Sequence, residues 1–171
     1  MTIGELRISD RAMAEQDSVA LLQRALVGRI GTVGADGMPY VVPMNFVYEY
    51  AGRRIHLHLG RQPGHLATNL AFSPKVCFEV DEPEAVIATG ETACETDHVY
   101  ESVICFGEAQ VVSDQSERTR VAKLFVQKYV DQGMPGRSCK PGLLYLEIVD
   151  FVTIEIAVMT GKRRPPLEPE P

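Results

Sequence analysis

His56 and His58 stand two residues apart, and Gly60, Arg61, Gly64 and His65 follow at once. On a strand, alternate residues share a face, so the two imidazoles project together. The turn after them runs into G-H-L-A-T-N-L-A, a helical segment from about Gly64 to Ala71. A helix start offers free backbone N–H groups and a partial positive charge. Arg61 adds a planar, always-charged fork, and glycine lets main chain approach a ligand without a Cβ clash. These residues make an anion seat and point to a phosphorylated ligand. H-x-H can also begin a metal site, but no neighbouring Cys or carboxylate completes one, and no metal is expected.

The elements that deliver this turn are legible. Ser9 and Asp10 precede a run in which Val19, Leu22 and Leu26 recur at helical spacing, so a helix is expected to end near Val27-Gly28. Arg29 to Val33 reads as a strand, and Ala35-Asp36-Gly37 as a hairpin turn. Pro39 to Tyr50 reads as a long strand. Pro43 within it cannot donate a ladder hydrogen bond, so it marks an edge, a bulge or a place where something other than a strand approaches. Arg53 to Leu59 returns. There Ile55, Leu57 and Leu59 face a core, while His56 and His58 must lie at a surface, an interface or a ligand.

Downstream, Lys75 to Asp81 reads as a strand with Val76, Phe78 and Val80 inward. Glu82 to Asp97 reads as a loop with a short strand, and Tyr100 to Val112 as a long strand. Gly107 in it suggests a bulge or close packing. Ser113-Asp114 should cap a helix carrying Val121, Leu124, Phe125, Lys128 and Tyr129 on one face. Asp131 to Gly142 reads as a loop, Leu143 to Val158 as a final strand or bent pair, and the Pro-rich end as an extended tail. Strands joined by turns early and by helices later predict a mainly β fold: a small antiparallel barrel with peripheral helices. One domain, 1–163, followed by a flexible tail, 164–171, is expected.

Composition narrows the function. The chain has 171 residues, 45% of them hydrophobic, which is globular composition. A net charge of −6 argues against nucleic acid as a partner. Cys77, Cys94, Cys105 and Cys139 form no C-x-x-C pair, so four free thiols are expected. No apolar run is long enough for a membrane span, and a cytoplasmic location is expected. The strand from Pro39 is apolar on both faces. One face can fill a barrel, and the other should meet a second subunit.

The ordered runs G-R-I-G-T-V, G-M-P-Y-V-V-P-M-N-F-V-Y, R-I-H-L-H-L-G-R, G-H-L-A-T-N-L and S-P-K-V-C-F-E-V-D-E resemble the pyridoxamine 5′-phosphate oxidase-like superfamily. The nearest likeness is to its nitroimidazole-resistance (NimA-type) branch. Y-E-S-V-I-C-F-G-E-A-Q-V-V, the helix ending K-Y and the late T-G-K-R-R continue it, from about Ser9 to Arg163. The resemblance implies a split β-barrel that binds FMN at a homodimer interface and oxidises or reduces a small organic molecule, possible nitroaromatics included. It implies that Val42, Pro43, Met44 and Asn45 line the flavin ring. His58, Leu59 and Gly60 would lie along the ribityl chain, with Arg61, Gly64, His65 and Leu66 near the phosphate. His58 is the candidate catalytic residue. The alternatives are a non-catalytic flavin binder, or a haem- or deazaflavin-binding barrel. Two features depart from the family pattern. Leu66 stands where many relatives carry Lys or Arg, and the tail lacks the Arg-rich R-x-x-R-L segment, which argues against oxidation of vitamin B6.

Overall fold

The computed structural model describes residues 3–62, 64–88, 90–129 and 143–166. Six antiparallel strands close into a barrel in the order β1-β2-β3-β6-β5-β4. They are β1 (Val27–Val33), β2 (Pro39–Glu49), β3 (Arg54–Gly60), β4 (Lys75–Ala88), β5 (Thr96–Val111) and β6 (Val149–Arg164). Four helices surround them: α1 (Glu15–Arg24), α2 (His65–Phe72), α3 (Gln115–Tyr129) and α4 (Leu143–Ile148). Among the described residues, no helix is long and apolar enough to cross a membrane.

Strand alternation sorts the side chains. Ile30, Phe46, Ile55, Leu57, Phe78, Val80, Val103, Cys105, Val152 and Ile154 fill the barrel and are fully buried. Phe46 and Phe78 meet edge to face, with ring centroids 4.9 Å apart. Gly28 is needed there, since a Cβ would stand 2.1 Å from the Phe78 ring. Cys77 points outward and is only half buried, so it does not fill the core as Cys105 does. A second core lies outside the barrel wall, where Val121, Ala122 and Phe125 of α3 cover Val47, Val149 and Phe151.

Several elements depart from the sequence expectation. The first helix starts late, because Ala12 bridges Lys162 and the Met13 N–H donates to the Gly161 carbonyl. It ends at Arg24, and a 3₁₀ turn covers Ser9–Arg11. The stretch from Glu82 is no loop: β4 runs on to Ala88 and pairs with β5 from Thr96, with a register shift at Pro83/Ala85. Most side chains of this arm are exposed, so no apolar alternation announced it. Leu143–Ile148 is helical, and the last strand begins only at Val149. Gly107 meets the prediction: β6 carries an extra residue between Ile156 and Val158, and a Cβ on Gly107 would lie 2.1 Å from the Glu155 carbonyl oxygen. Asp114 caps α3 as expected, accepting from the Glu117 N–H at 2.8 Å. The expected loop over 131–142, Cys139 and the end of the tail lie outside the described residues.

α3 is anchored by two buried cations. Arg118 donates to the carbonyls of Leu146 (2.8 Å) and Val149 (2.7 Å) and pairs with Asp150 (3.2 Å). Lys128 is 7% exposed, with its ammonium 3.9 Å from the Phe46 ring centre and no hydrogen-bond partner among the described residues. Burial pulls its pKa down to about 8.

Two outcomes follow. Arg118→Met should destabilise the fold by about 3 kcal/mol, because carbonyls and a carboxylate lose their donor, and urea unfolding measures it. A loss within experimental error would show that water takes over those bonds. For Lys128, the unfolded chain holds a proton that the folded chain releases between pH 8 and the ordinary value of 10.5. Stability should therefore rise with pH through that window. Lys128→Met should remove the rise and raise stability at pH 7 by about 1 kcal/mol. Parallel melting curves of the two proteins across that range decide it.

Candidate functional site

β2 changes partners midway. Residues Pro39 to Asn45 pair with β1, whereas Phe46 to Glu49 pair with β3. Beyond Phe46↔Leu57 the β2–β3 ladder ends, and β3 continues to Gly60 on β6 alone. A split therefore opens between Pro39–Asn45 and His58–Gly60.

The backbone orientation along this split can be worked out. The Gly34 N–H donates to the Met38 carbonyl, and the Tyr129 hydroxyl bridges Phe46 to the Leu26 carbonyl on the β1 side. Even-numbered β2 residues thus point their backbone groups at β1. By alternation, those of Val41, Pro43 and Asn45 point into the split. Pro43 lacks its N–H at a place where no strand requires one, which accounts for a proline inside β2.

The same alternation divides the expected site residues. Side chains of Pro43 and Asn45 face outward and are exposed, as is Gly60 on the opposite edge. His58 also faces outward, half-buried, with its ring 5.1 Å from that of Phe125. Val42, Met44 and Leu59 pack against the barrel core, and Leu66 is buried in it. Val42, Met44 and Leu59 also spend their backbone groups on β1 and β6, so of these four residues Leu66, at the helix start, has backbone to offer a ligand. Val41 has the outward parity and is 63% exposed, yet it was absent from the expected set. Its place two residues before Pro43 was the available signal.

The two histidines part company, and His56 corrects the expectation of a surface, interface or ligand position. Its ring is fully buried beneath α3. Nε2 donates to Glu49 at 3.1 Å, and Nδ1 accepts from the Thr153 hydroxyl at 2.9 Å. Burial lowers its pKa, outweighing Glu49, so the neutral ring fits both partners. Arg120 holds Glu49 from the other side and keeps its carboxyl below the ordinary value. With both ring nitrogens engaged, His56 cannot join His58 in ligating a haem. His58 is also shifted toward the neutral form, by burial alone.

At the turn, Gly60 and Gly64 have no atom of the described residues within 4 Å of where a Cβ would stand. α2 begins at Gly64 without a side-chain cap and has no acidic residue in its first turn. His65 stacks on Tyr40, with ring centroids 5.6 Å apart. An uncapped helix start beside exposed glycine backbone suits a phosphate. Arg61 instead turns toward Asp150, at 3.5 Å. On the outer face, Val27, Val33, Met38, Val41 and Ile104 are exposed apolar residues on or beside β1, β2 and β5, with the Arg29–Glu79–Asp81 ion pairs among them. The large open groove of about 650 Å³ lies elsewhere, along α1 beside Tyr50, and contains none of the expected site residues.

Known proteins give the geometry a context. The structure is similar to the flavocytochrome Anf3 from Azotobacter vinelandii, with a TM-score of 0.78 and 24% identity over 97% of this chain and 76% of that one. It is similar to a candidate 5-nitroimidazole antibiotic resistance protein from Bacteroides thetaiotaomicron, with a TM-score of 0.72 and 22% identity over 88% and 85%. A FAD and heme binding protein from Mycobacterium smegmatis matches with a TM-score of 0.75 and 17% identity over 94% and 77%. At such identities these likenesses establish the fold, a split β-barrel. No curated protein matches the chain. The pyridoxamine 5′-phosphate oxidase family model matches residues 14–163. That span takes in both edges of the split, the turn and α2, and the chain belongs to the pyridoxamine 5′-phosphate oxidase family.

Proposed function

We propose that this protein binds FMN on the outer face of the split and uses it to oxidise or reduce a small organic molecule, nitroaromatics being the first class to test. The observation that carries this reading is the alignment of three features along one surface. They are the exposed Val41, Pro43 and Asn45 wall, the His58–Gly60 edge, and the uncapped start of α2. A flavin needs a flat apolar wall, hydrogen bonds at its ring edge and a seat for its phosphate, and these features together supply them. Proteins of this fold described as FAD binding, and one described as a candidate 5-nitroimidazole antibiotic resistance protein, support the reading.

The flavin supplies the electron chemistry when bound; the protein orients it and controls access. Backbone groups of Val41 and Asn45 meet the ring edge, and Val42 and Met44 brace the wall from within. Gly60, Gly64, His65 and the N–H of Leu66 hold the phosphate, with Arg61 adding positive potential from one side. His58, neutral and packed against Phe125, stands at the reactive end and handles a proton for the acceptor. A second copy of the chain covers the wall, since an exposed apolar sheet face of this extent calls for a partner.

Purified protein should take up FMN with quenching of flavin fluorescence and migrate as a dimer. Val41→Asp should disrupt both, because a carboxylate would enter the apolar wall and the interface. His65→Ala should weaken FMN about tenfold while leaving riboflavin, which lacks the phosphate, little changed. Equal losses for the two flavins would move the phosphate elsewhere. His58→Ala should keep FMN but slow reoxidation of the reduced protein by a nitroaromatic acceptor by about a hundredfold. An unaltered rate would remove His58 from the chemistry.

A further inference from the structure

The barrel has a second feature, which shares its strand end, Leu59 to Arg61, with the flavin reading. Beneath α2, at the barrel mouth, lies a cavity of about 310 Å³. Its wall is formed by the last inward-facing residues of three strands: Leu59 of β3, Ala109 and Val111 of β5, and Val152 of β6. α2 roofs it with Ala67 and Ala71, one turn apart, and with Leu70. The small side chains at 67 and 71 are the reason the mouth is not filled. Val111 has the parity of a core residue yet is 62% exposed.

The polar side chains that line this mouth are Arg61, Asp150 and Gln110, and Arg118 stands behind Asp150. Asp150 faces inward beside Leu59 and accepts from Arg118 at 3.2 Å. Arg118 is buried and held by the Leu146 and Val149 carbonyls, so it cannot turn away. Arg61 reaches the same Asp150 oxygen, Oδ1, through Nε at 3.5 Å, longer than a charge-assisted hydrogen bond. Arg61 and Asp150 are the charged residues of the lining, and Asp150 is already matched from behind by Arg118, which leaves Arg61 the loosely paired charge at the rim.

We infer that the barrel mouth binds a small monocarboxylic acid with a compact apolar body. The volume suits a molecule on the order of ten non-hydrogen atoms. Its body lies among Leu59, Leu70, Ala109 and Val152. Its carboxylate takes the guanidinium edge of Arg61 that Asp150 leaves open, as a planar fork accepts a planar carboxylate. Asp150 and Arg118 are positioning residues that hold Arg61 at the rim. The cavity lies on the inner side of β3 and the proposed flavin face on its outer side, with Gly60 and Arg61 common to both, so titration with and without FMN separates the two sites.

Benzoate is the probe, with acetate and benzyl alcohol as controls for body and charge. Calorimetric titration of the full-length protein, with and without FMN, should give saturable benzoate binding, and each control should bind at least about tenfold more weakly. Ala67→Leu, which fills the cavity, should weaken benzoate about tenfold, and Arg61→Gln should erase the preference for benzoate over benzyl alcohol. Val111→Phe, at a rim position 62% exposed, repeats the filling test should Ala67→Leu fail to fold. Absence of saturable benzoate binding, equal binding of benzyl alcohol to the unaltered protein, or undiminished binding in a folded filled variant would overturn the inference.

Discussion

Between Asn45 and Phe46, β2 passes from β1 to β3, and the Tyr129 hydroxyl occupies the point of exchange. It accepts from the Phe46 N–H at 2.8 Å and lies 2.7 Å from the Leu26 carbonyl oxygen. Without such a partner, the end of the β1–β2 ladder would bury an unmatched N–H beneath α3. The exchange makes one strand into two different surfaces. The second half of β2 is sealed, with Phe46 and Tyr48 in the barrel and Val47 under α3. The first half has a partly buried inner face, an exposed outer face and an edge that no strand among the described residues occupies. A continuous β2–β3 ladder would satisfy that edge with backbone and leave a ligand only side chains to meet.

Charge is handled differently on the two sides of the wall that α3 covers. Under the helix, Glu49, His56, Thr153 and Arg120 close a network in which each polar group has a partner. Burial outweighs Glu49 at the imidazole, so the ring stays neutral and a second buried charge is avoided. Lys128 is the exception, an ammonium set over the Phe46 ring with no oxygen among the described residues to receive its protons. Cation–π attraction compensates part of the desolvation cost, and the lowered pKa records the rest.

Much of this was readable in the residues themselves. The hairpin at Asp36-Gly37, the inward set Val76, Phe78 and Val80, and the glycine at position 107 all follow from alternation and local backbone demands. Alternation also contained the division of the site residues: Val42 and Met44 cannot share a face with Pro43 and Asn45. Reading V-P-M-N as a contiguous lining overlooked that parity. What alternation could not supply was the identity of the covering layer. His56 and His58 share a face, but α3 arrives from more than fifty residues downstream to bury one ring and leave the other at the rim. The β4–β5 arm was hidden for the opposite reason. Its backbone pairing holds it together while most of its side chains meet solvent, so period-two hydrophobicity is absent. Leu143–Ile148 has apolar residues enough for either period, and six residues are too few to choose between them.

The end of β3 carries the consequence of that parity furthest. His58 and Gly60 face the split, whereas Leu59 and Arg61 face the barrel mouth. These four residues are consecutive, so their backbone positions cannot be adjusted independently. Asp150 lies opposite Leu59 on β6 and is fixed by Arg118, which is fixed in turn by the carbonyls at the start of β6. A ligand that draws Arg61 away from Asp150 acts on a strand end whose other face borders the helix start at Gly64. The two faces are thus mechanically joined by a segment too short to absorb a shift. The buried Arg118 clamp determines how far that segment can move.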